Sequence, residues 1–116
     1  SLQYRLAVRF YRNASGREPV HEWLGALSKA DRKSIGEDIK TVQLGWPLGM
    51  PLVRKLEPNL WEVRMDVKHG IARVLFTTVD QAMVLLHGVI KKSQKLPQPD
   101  LDLARSRMKE TRHGYQ

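Results

Sequence analysis

The sequence has no cysteine among its 116 residues, which excludes disulfide bonds and metal sites built on thiolates. No stretch approaches the ~20 consecutive apolar residues that a membrane-spanning helix needs. The N-terminal segment SLQYRLAVRF also lacks the apolar core of a secretory signal peptide. We therefore expect a cytoplasmic protein without a membrane partner.

Several catalytic motifs are missing as well. The chain contains no Walker loop, no GxGxxG loop and no serine-nucleophile motif. His21 begins a short HEW sequence, but no second histidine follows at the spacing of a zinc-binding helix, and the carboxylates are scattered. We expect neither a metal nor a cofactor. Because repeats, low-complexity segments and Gly/Ser-rich linkers are also absent, we expect residues 1–116 to form a single domain.

Positive charge is the strongest bulk signal that the sequence does contain. Twenty Lys and Arg residues stand against 12 Asp and Glu residues, which gives a net charge of +8 and a pI near 10.1. Such a balance favours a polyanionic partner, and nucleic acid is the commonest one. An acidic protein partner, or no specific partner, is the alternative that charge alone leaves open.

Hydrophobic periodicity predicts an α+β fold. Pro19 and the capping-box sequence SKAD at 28–31 mark the starts of two helices. Pro99 marks the start of a C-terminal helix. The small sheet is predicted to be rich in antiparallel pairs, with a first strand before the helix pair and a three- to four-strand meander after it. The predicted strands cover 4–11, 54–57, 60–67, 71–78 and 82–90. We expect the helices to cover one sheet face and to leave the other wholly or partly free.

Cations recur on these predicted strands or at their ends. Neighbouring strands lie only ~4.8 Å apart, so cations on one small sheet come close together. Taken singly, each cation is most simply structural, and Arg64 could pair with Glu62 or Asp66 on a hydrated face. Taken together, they predict an anion site. The residues concerned are Lys55, Arg64, Arg73, Lys91 and Lys92.

One histidine is of special interest among the four in the chain. His87 lies within an apolar strand, and strict alternation would place it on the same face as Leu85, Val89 and Lys91. A histidine packed in the core or at a sheet edge is the simpler interpretation. A histidine that transfers protons is the functional one, because its side chain titrates near neutral pH.

These residue types suit the cleavage of RNA without a metal ion. In that reaction the substrate's own 2′-hydroxyl attacks the phosphate, so one group must accept its proton and another must protonate the departing oxygen. Cations must stabilise the charge that builds up on phosphorus. Arginine can grip two phosphate oxygens at once, while lysine and histidine can stabilise charge or move protons.

Three segments follow one another in the second half of the chain: KLEPNLWEVRMD, GIARVLFT and VLLHGVIKKSQKLPQPDLDLARSRM. In this order they resemble the HigB-like, phage-derived branch of the RelE/ParE superfamily of bacterial toxins. The resemblance implies a type II toxin–antitoxin toxin that cuts mRNA on the ribosome without a metal. It also implies a cognate antitoxin, often a helix-turn-helix protein, beside the ribosome and mRNA as partners.

The resemblance also implies roles for particular residues. Arg64 and Arg73 match the strand arginines that bind the scissile phosphate. Lys55 matches a basic residue of the preceding strand, and Lys91 and Lys92 match a lysine pair of this branch. With His87 these residues form the expected catalytic set, and the expected RNA-binding set is Arg54, Lys68 and Lys95.

Two departures from the family pattern leave the general base and acid open. The segment GMPLVRK lacks the carboxylate that some relatives carry there, so Glu57 or Glu62 would have to replace it. The last strand ends in lysines rather than in a tyrosine. Two other functions therefore remain open: a non-catalytic basic module that binds nucleic acid or an antitoxin, and a gyrase-directed toxin of the ParE type.

Overall fold

Helices flank both faces of a central mixed sheet. The structure is a computed structural model that describes residues 4–114. Within that range the α+β prediction is confirmed by five strands and three helices. The elements are β1 (Ala7–Phe10), α1 (Pro19–Ala26), α2 (Lys29–Gly45), β2 (Val53–Glu57), β3 (Leu60–Val67), β4 (Gly70–Val79), β5 (Ala82–Lys91) and α3 (Gln98–Gly114).

Local signals account for several of these boundaries. Pro19 occupies the first turn of α1, where its missing N–H is not needed. The Ser28 hydroxyl caps α2 by accepting a hydrogen bond from the Asp31 backbone N–H at 3.1 Å, as the capping-box sequence predicts. Asp80 and Gln81 both have positive φ, which makes the two-residue turn between β4 and β5.

The sheet has the strand order β1-β5-β4-β3-β2 among the described residues. Strands β2 to β5 form an antiparallel meander, and β1 pairs with β5 in parallel. A bulge interrupts β5, because Phe76 pairs with Leu85 whereas Leu75 pairs with His87. The extra residue is Leu86. The prediction that His87 shares a face with Leu85 is therefore wrong, since a bulge shifts the alternation by one residue.

Two hydrophobic clusters cover the two sheet faces. Helices α1 and α2 pack on one, which we call the α1–α2 face and which includes Val63, Val74 and Phe76. Helix α3 packs its Ala104 and Met108 on the opposite face, which we call the α3 face. The prediction that all helices cover one face is therefore wrong. Strands β4 and β5 are apolar on both sides, so both sides bury surface against helices.

None of the helices within residues 4–114 is long and apolar enough to cross a membrane.

Candidate functional site

Three arginines surround one carboxylate on the α3 face. In the strand register Arg54 lies opposite Glu62, and Arg64 lies directly opposite Arg73. Like charges in directly opposed positions destabilise a sheet unless something offsets them. We call these four residues the arginine cluster. The register between β3 and β4 therefore places Arg64 and Arg73 on the same sheet face.

Glu62 and Arg73 form the buried centre of this cluster, and each residue is 1% exposed. The Arg73 Nε lies 3.7 Å from the Glu62 Oε2, which is an ion pair without the short contact of a strong hydrogen bond. Among residues 4–114, neither the Glu62 Oε1 nor the Arg73 Nη1 has a hydrogen-bond partner. Burial therefore raises the pKa of the Glu62 carboxyl, and the charge of Arg73 opposes that rise.

The loop at 92–97 lies over the arginine cluster. Arg73 donates from its Nη2 to the backbone oxygens of Ser93 and Gln94, at 2.8 and 2.6 Å. Arg64 donates to the side-chain oxygen of Gln94 at 2.6 Å. The family resemblance implies that both arginines contact a phosphate, but of the two only Arg64 is partly exposed here. Arg73 is occluded, because the carbonyls of the 92–97 loop replace water around its guanidinium.

His87 lies on the same face, where it contacts an acidic residue of α3. Its Nε2 is 2.6 Å from the Asp100 Oδ1, and both side chains are 16% exposed. Asp100 is in the first turn of α3, where a carboxylate is favoured by the helix dipole. Asp100 is absent from the residues predicted from the sequence. Its position at a helix start is predictable, whereas its contact with His87 depends on where α3 packs.

The predicted lysines divide between two locations. Lys55 is exposed and pairs with Trp61, whose ring stacks in the aromatic cluster of the α1–α2 face. Because successive strand residues point to opposite faces, Arg54 joins the arginine cluster and Lys55 does not. The structure therefore does not bring Lys55 together with the other predicted catalytic residues.

The remaining lysines gather at one end of the sheet. Lys91 ends β5 and pairs with Ile71 at the start of β4. The β3–β4 turn reaches the same end, because Val67 pairs with Gly70. Exposed ammonium groups are therefore concentrated beside the 92–97 loop, where they could contact a polyanion backbone. These lysines are Lys68, Lys91, Lys92 and Lys95.

A shallow groove of about 220 Å³ borders His87, between α1 and α3. Trp23 forms one wall, and a Cβ added to Gly88 would lie only 2.3 Å from its ring. Glycine at 88 is therefore required for the indole to pack against the strand. Arg107 lines the other side and donates to the Leu86 backbone oxygen at 2.8 Å. Burial lowers the pKa of Arg107.

Comparisons with known proteins bear on the same segment. Residues 22–109, well over half of the chain, match the family model described as Phage derived protein Gp49-like (DUF891). No curated protein matches the chain. The matched range includes the arginine cluster, the 92–97 loop, His87 and Asp100.

Proposed function

The chain belongs to the phage-derived Gp49-like family of the RelE/ParE-like toxin superfamily, and from that premise we propose that it is the toxin of a type II toxin–antitoxin system. We assign it to the HigB-like branch. Its proposed activity is the cleavage of mRNA on the ribosome by attack of the substrate's 2′-hydroxyl. Membership of this superfamily implies a cognate antitoxin, and we propose that ribosome and mRNA are its other partners.

The opposed pair Arg64 and Arg73 is the observation that carries the proposal. With Arg54 nearby, three guanidinium groups surround the Glu62 carboxylate, and Asp100 is a further carboxylate whose charge acts on Arg73. The excess positive charge is unfavourable in the free protein and becomes favourable when an anion binds. A phosphodiester fits this requirement, because guanidinium groups bind phosphate oxygens in pairs.

We assign different roles to the two central arginines. Arg64 contacts the scissile phosphate, since its guanidinium is held at the surface by Gln94. Arg73 supports this arrangement from beneath by binding the 92–97 loop, and its charge adds to the positive potential at the phosphate. The lysines at 68, 91, 92 and 95 contact the RNA backbone.

In the proposed reaction the 2′-oxygen bonds to phosphorus and the bond from phosphorus to the 5′-oxygen breaks. The products are a 2′,3′-cyclic phosphate and a 5′-hydroxyl. One proton leaves the 2′-hydroxyl and another reaches the 5′-oxygen, so the site needs a group that can move protons. His87 is such a group, and it shares the α3 face with the arginine cluster.

A second candidate function is a non-catalytic module that binds RNA or antitoxin. It is favoured by the occlusion of Arg73, whose side chain is 1% exposed beneath the 92–97 loop. Binding alone would still use Arg64 and the exposed lysines. A gyrase-directed toxin would use the fold for a different target, and it would inhibit DNA supercoiling without cutting mRNA.

Expression of the chain without a partner tests these functions in cells. We expect growth and protein synthesis to stop, and Arg64→Gln to relieve the arrest. Lys55→Gln is the matched control, because it removes the same charge from the opposite sheet face. Normal growth with abundant folded protein would contradict the toxin proposal. Arrest with intact mRNA and inhibited supercoiling would support the gyrase-directed alternative.

A further inference from the structure

We infer that Asp100 is a positioning residue that orients His87 for proton transfer in RNA cleavage. The inference rests on the proposed function. It goes beyond that function by naming the residue that determines which imidazole nitrogen of His87 carries the proton. It is based on the contact between the His87 Nε2 and the Asp100 Oδ1 at 2.6 Å, with both side chains 16% exposed.

The chemistry of the contact determines which imidazole nitrogen is free. A carboxylate only accepts hydrogen bonds, so the His87 Nε2 must carry the proton that is donated to Asp100. In the neutral imidazole the Nδ1 then has the lone pair and can accept a proton. Asp100 is itself anchored, because its backbone N–H donates to the Pro97 oxygen at 3.1 Å.

The local backbone is built to present His87 on this face. Without the bulge at Leu86, strict alternation would turn His87 towards the α1–α2 face. Bulges commonly re-aim a side chain beside a functional site. Here the bulge places both Leu86 and His87 on the α3 face, where Leu86 joins the core and His87 meets Asp100.

The contact between His87 and Asp100 is not needed to hold α3 on the sheet, because other hydrogen bonds already join this helix to the strands. Arg107 donates to the Leu86 oxygen and Arg112 to the Thr78 oxygen, each at 2.8 Å. Ala104 and Met108 bury the apolar side of the helix. The contact between His87 and Asp100 adds a titratable pair to a helix that is already held in place.

The pair is also close to the proposed phosphate site. His87 pairs with Leu75, which is two residues from Arg73 on the same face of β4. Asp100 lies near enough to Arg73 for its charge to favour the protonated guanidinium. His87 Nδ1 accepts the 2′-hydroxyl proton as the 2′-oxygen bonds to phosphorus, and the departing 5′-oxygen takes a proton from water.

The test compares mRNA cleavage by the full chain and three variants in a reconstituted translation system. Asp100→Asn keeps the size of the side chain but loses its charge, and we expect the cleavage rate to fall roughly 10- to 100-fold, a part of what a general base contributes. Affinity for the ribosome–mRNA complex should not change. Asp100→Glu should recover part of the rate, and the exposed Asp102→Asn should retain it fully.

Two further measurements separate positioning from a structural role. In a His87→Gln background, Asp100→Asn should cause no additional loss of rate, because the carboxylate acts through the imidazole. The ¹⁵N spectrum of His87 should show the Nε2–H form in the parent and a mixture of tautomers in Asp100→Asn. Cleavage that Asp100→Asn leaves intact would overturn this inference alone. Failure of the unmodified chain to cut mRNA would overturn the inference together with the proposed function.

Discussion

Replacing Arg73 with alanine should destabilise the protein by about 3 kcal/mol at neutral pH. The substitution leaves the Glu62 carboxylate in a position where its side chain is only 2% exposed, with its ion-pair partner removed. Breaking a buried pair in this way typically costs ~3–5 kcal/mol. We expect the lower end of that range because the pair is separated by 3.7 Å and is not optimally bonded. The loss is large beside a total stability of roughly 5–15 kcal/mol.

The size of this loss should depend on pH in a defined direction. Burial raises the Glu62 pKa above its ordinary value of 4.5, and Arg73 opposes that rise, so removal of Arg73 raises the pKa further. When folding raises the pKa of a carboxyl, that group contributes its full stability at pH values below its unfolded-state pKa. The contribution is lost as pH rises through its folded-state pKa. The deficit of Arg73→Ala should therefore grow as pH rises above 4.5, the ordinary pKa of this carboxyl.

Urea unfolding followed by tryptophan fluorescence at pH 5 and pH 7.5 measures both effects. Arg54→Ala is the matched control, because Arg54 faces the same carboxylate from an exposed position and should have little effect. The double variant Glu62→Leu with Arg73→Leu should regain most of the stability, since no unpaired charge remains. An Arg73→Ala protein as stable as its parent at pH 7.5, with the same denaturant dependence, would refute the reasoning.

Gly88→Ala should cost ~1–3 kcal/mol and change tryptophan fluorescence, because its Cβ would lie 2.3 Å from the Trp23 ring; unchanged stability and fluorescence would contradict this. The hydrogen bonds from Arg105 hold the Glu57 pKa below its ordinary value of 4.5, so they stabilise the fold above that pH and lose their effect as pH falls through the lowered value. The stability of the parent and of Glu57→Gln, which lacks the titrating carboxyl, should be measured as pH falls from 6. Relative to its own stability at pH 6, the parent should begin to lose stability at a higher pH than Glu57→Gln. The antitoxin should have an acidic contact segment, and its association rate with this chain of net charge +8 should fall as salt increases; a salt-independent rate would contradict it.

The sequence alone predicts those parts of the fold that depend on neighbouring residues. The strand predicted at 60–67 is observed as β3, and the predicted helix cap at Ser28 is present. Both follow from short-range rules, namely alternation along a strand and a hydroxyl that satisfies a backbone N–H. The shared face of Arg64 and Arg73 depends on the register between β3 and β4, which alternation within each strand does not fix.

Features that depend on distant packing could not be predicted in this way. The bulge at Leu86 reverses the expected facing of one strand segment. Gly88 is compatible with a bulge nearby, but a glycine does not fix where the bulge lies. The occlusion of Arg73 depends on the carbonyls of Ser93 and Gln94, about twenty positions away in the chain. Asp100 reaches His87 only because α3 packs on the second sheet face.

Cleavage of a defined mRNA by the purified chain tests the central claim most directly. The reaction would contain programmed ribosomes, with the unmodified chain, Arg64→Gln or Lys55→Gln, and the cut ends would be mapped and their phosphates identified. We predict a 2′,3′-cyclic phosphate and a 5′-hydroxyl at the cut, with roughly 100-fold slower cleavage by Arg64→Gln and an undiminished rate for Lys55→Gln. Intact mRNA with all three proteins, or equal cleavage by Arg64→Gln and the unmodified chain, would contradict the account.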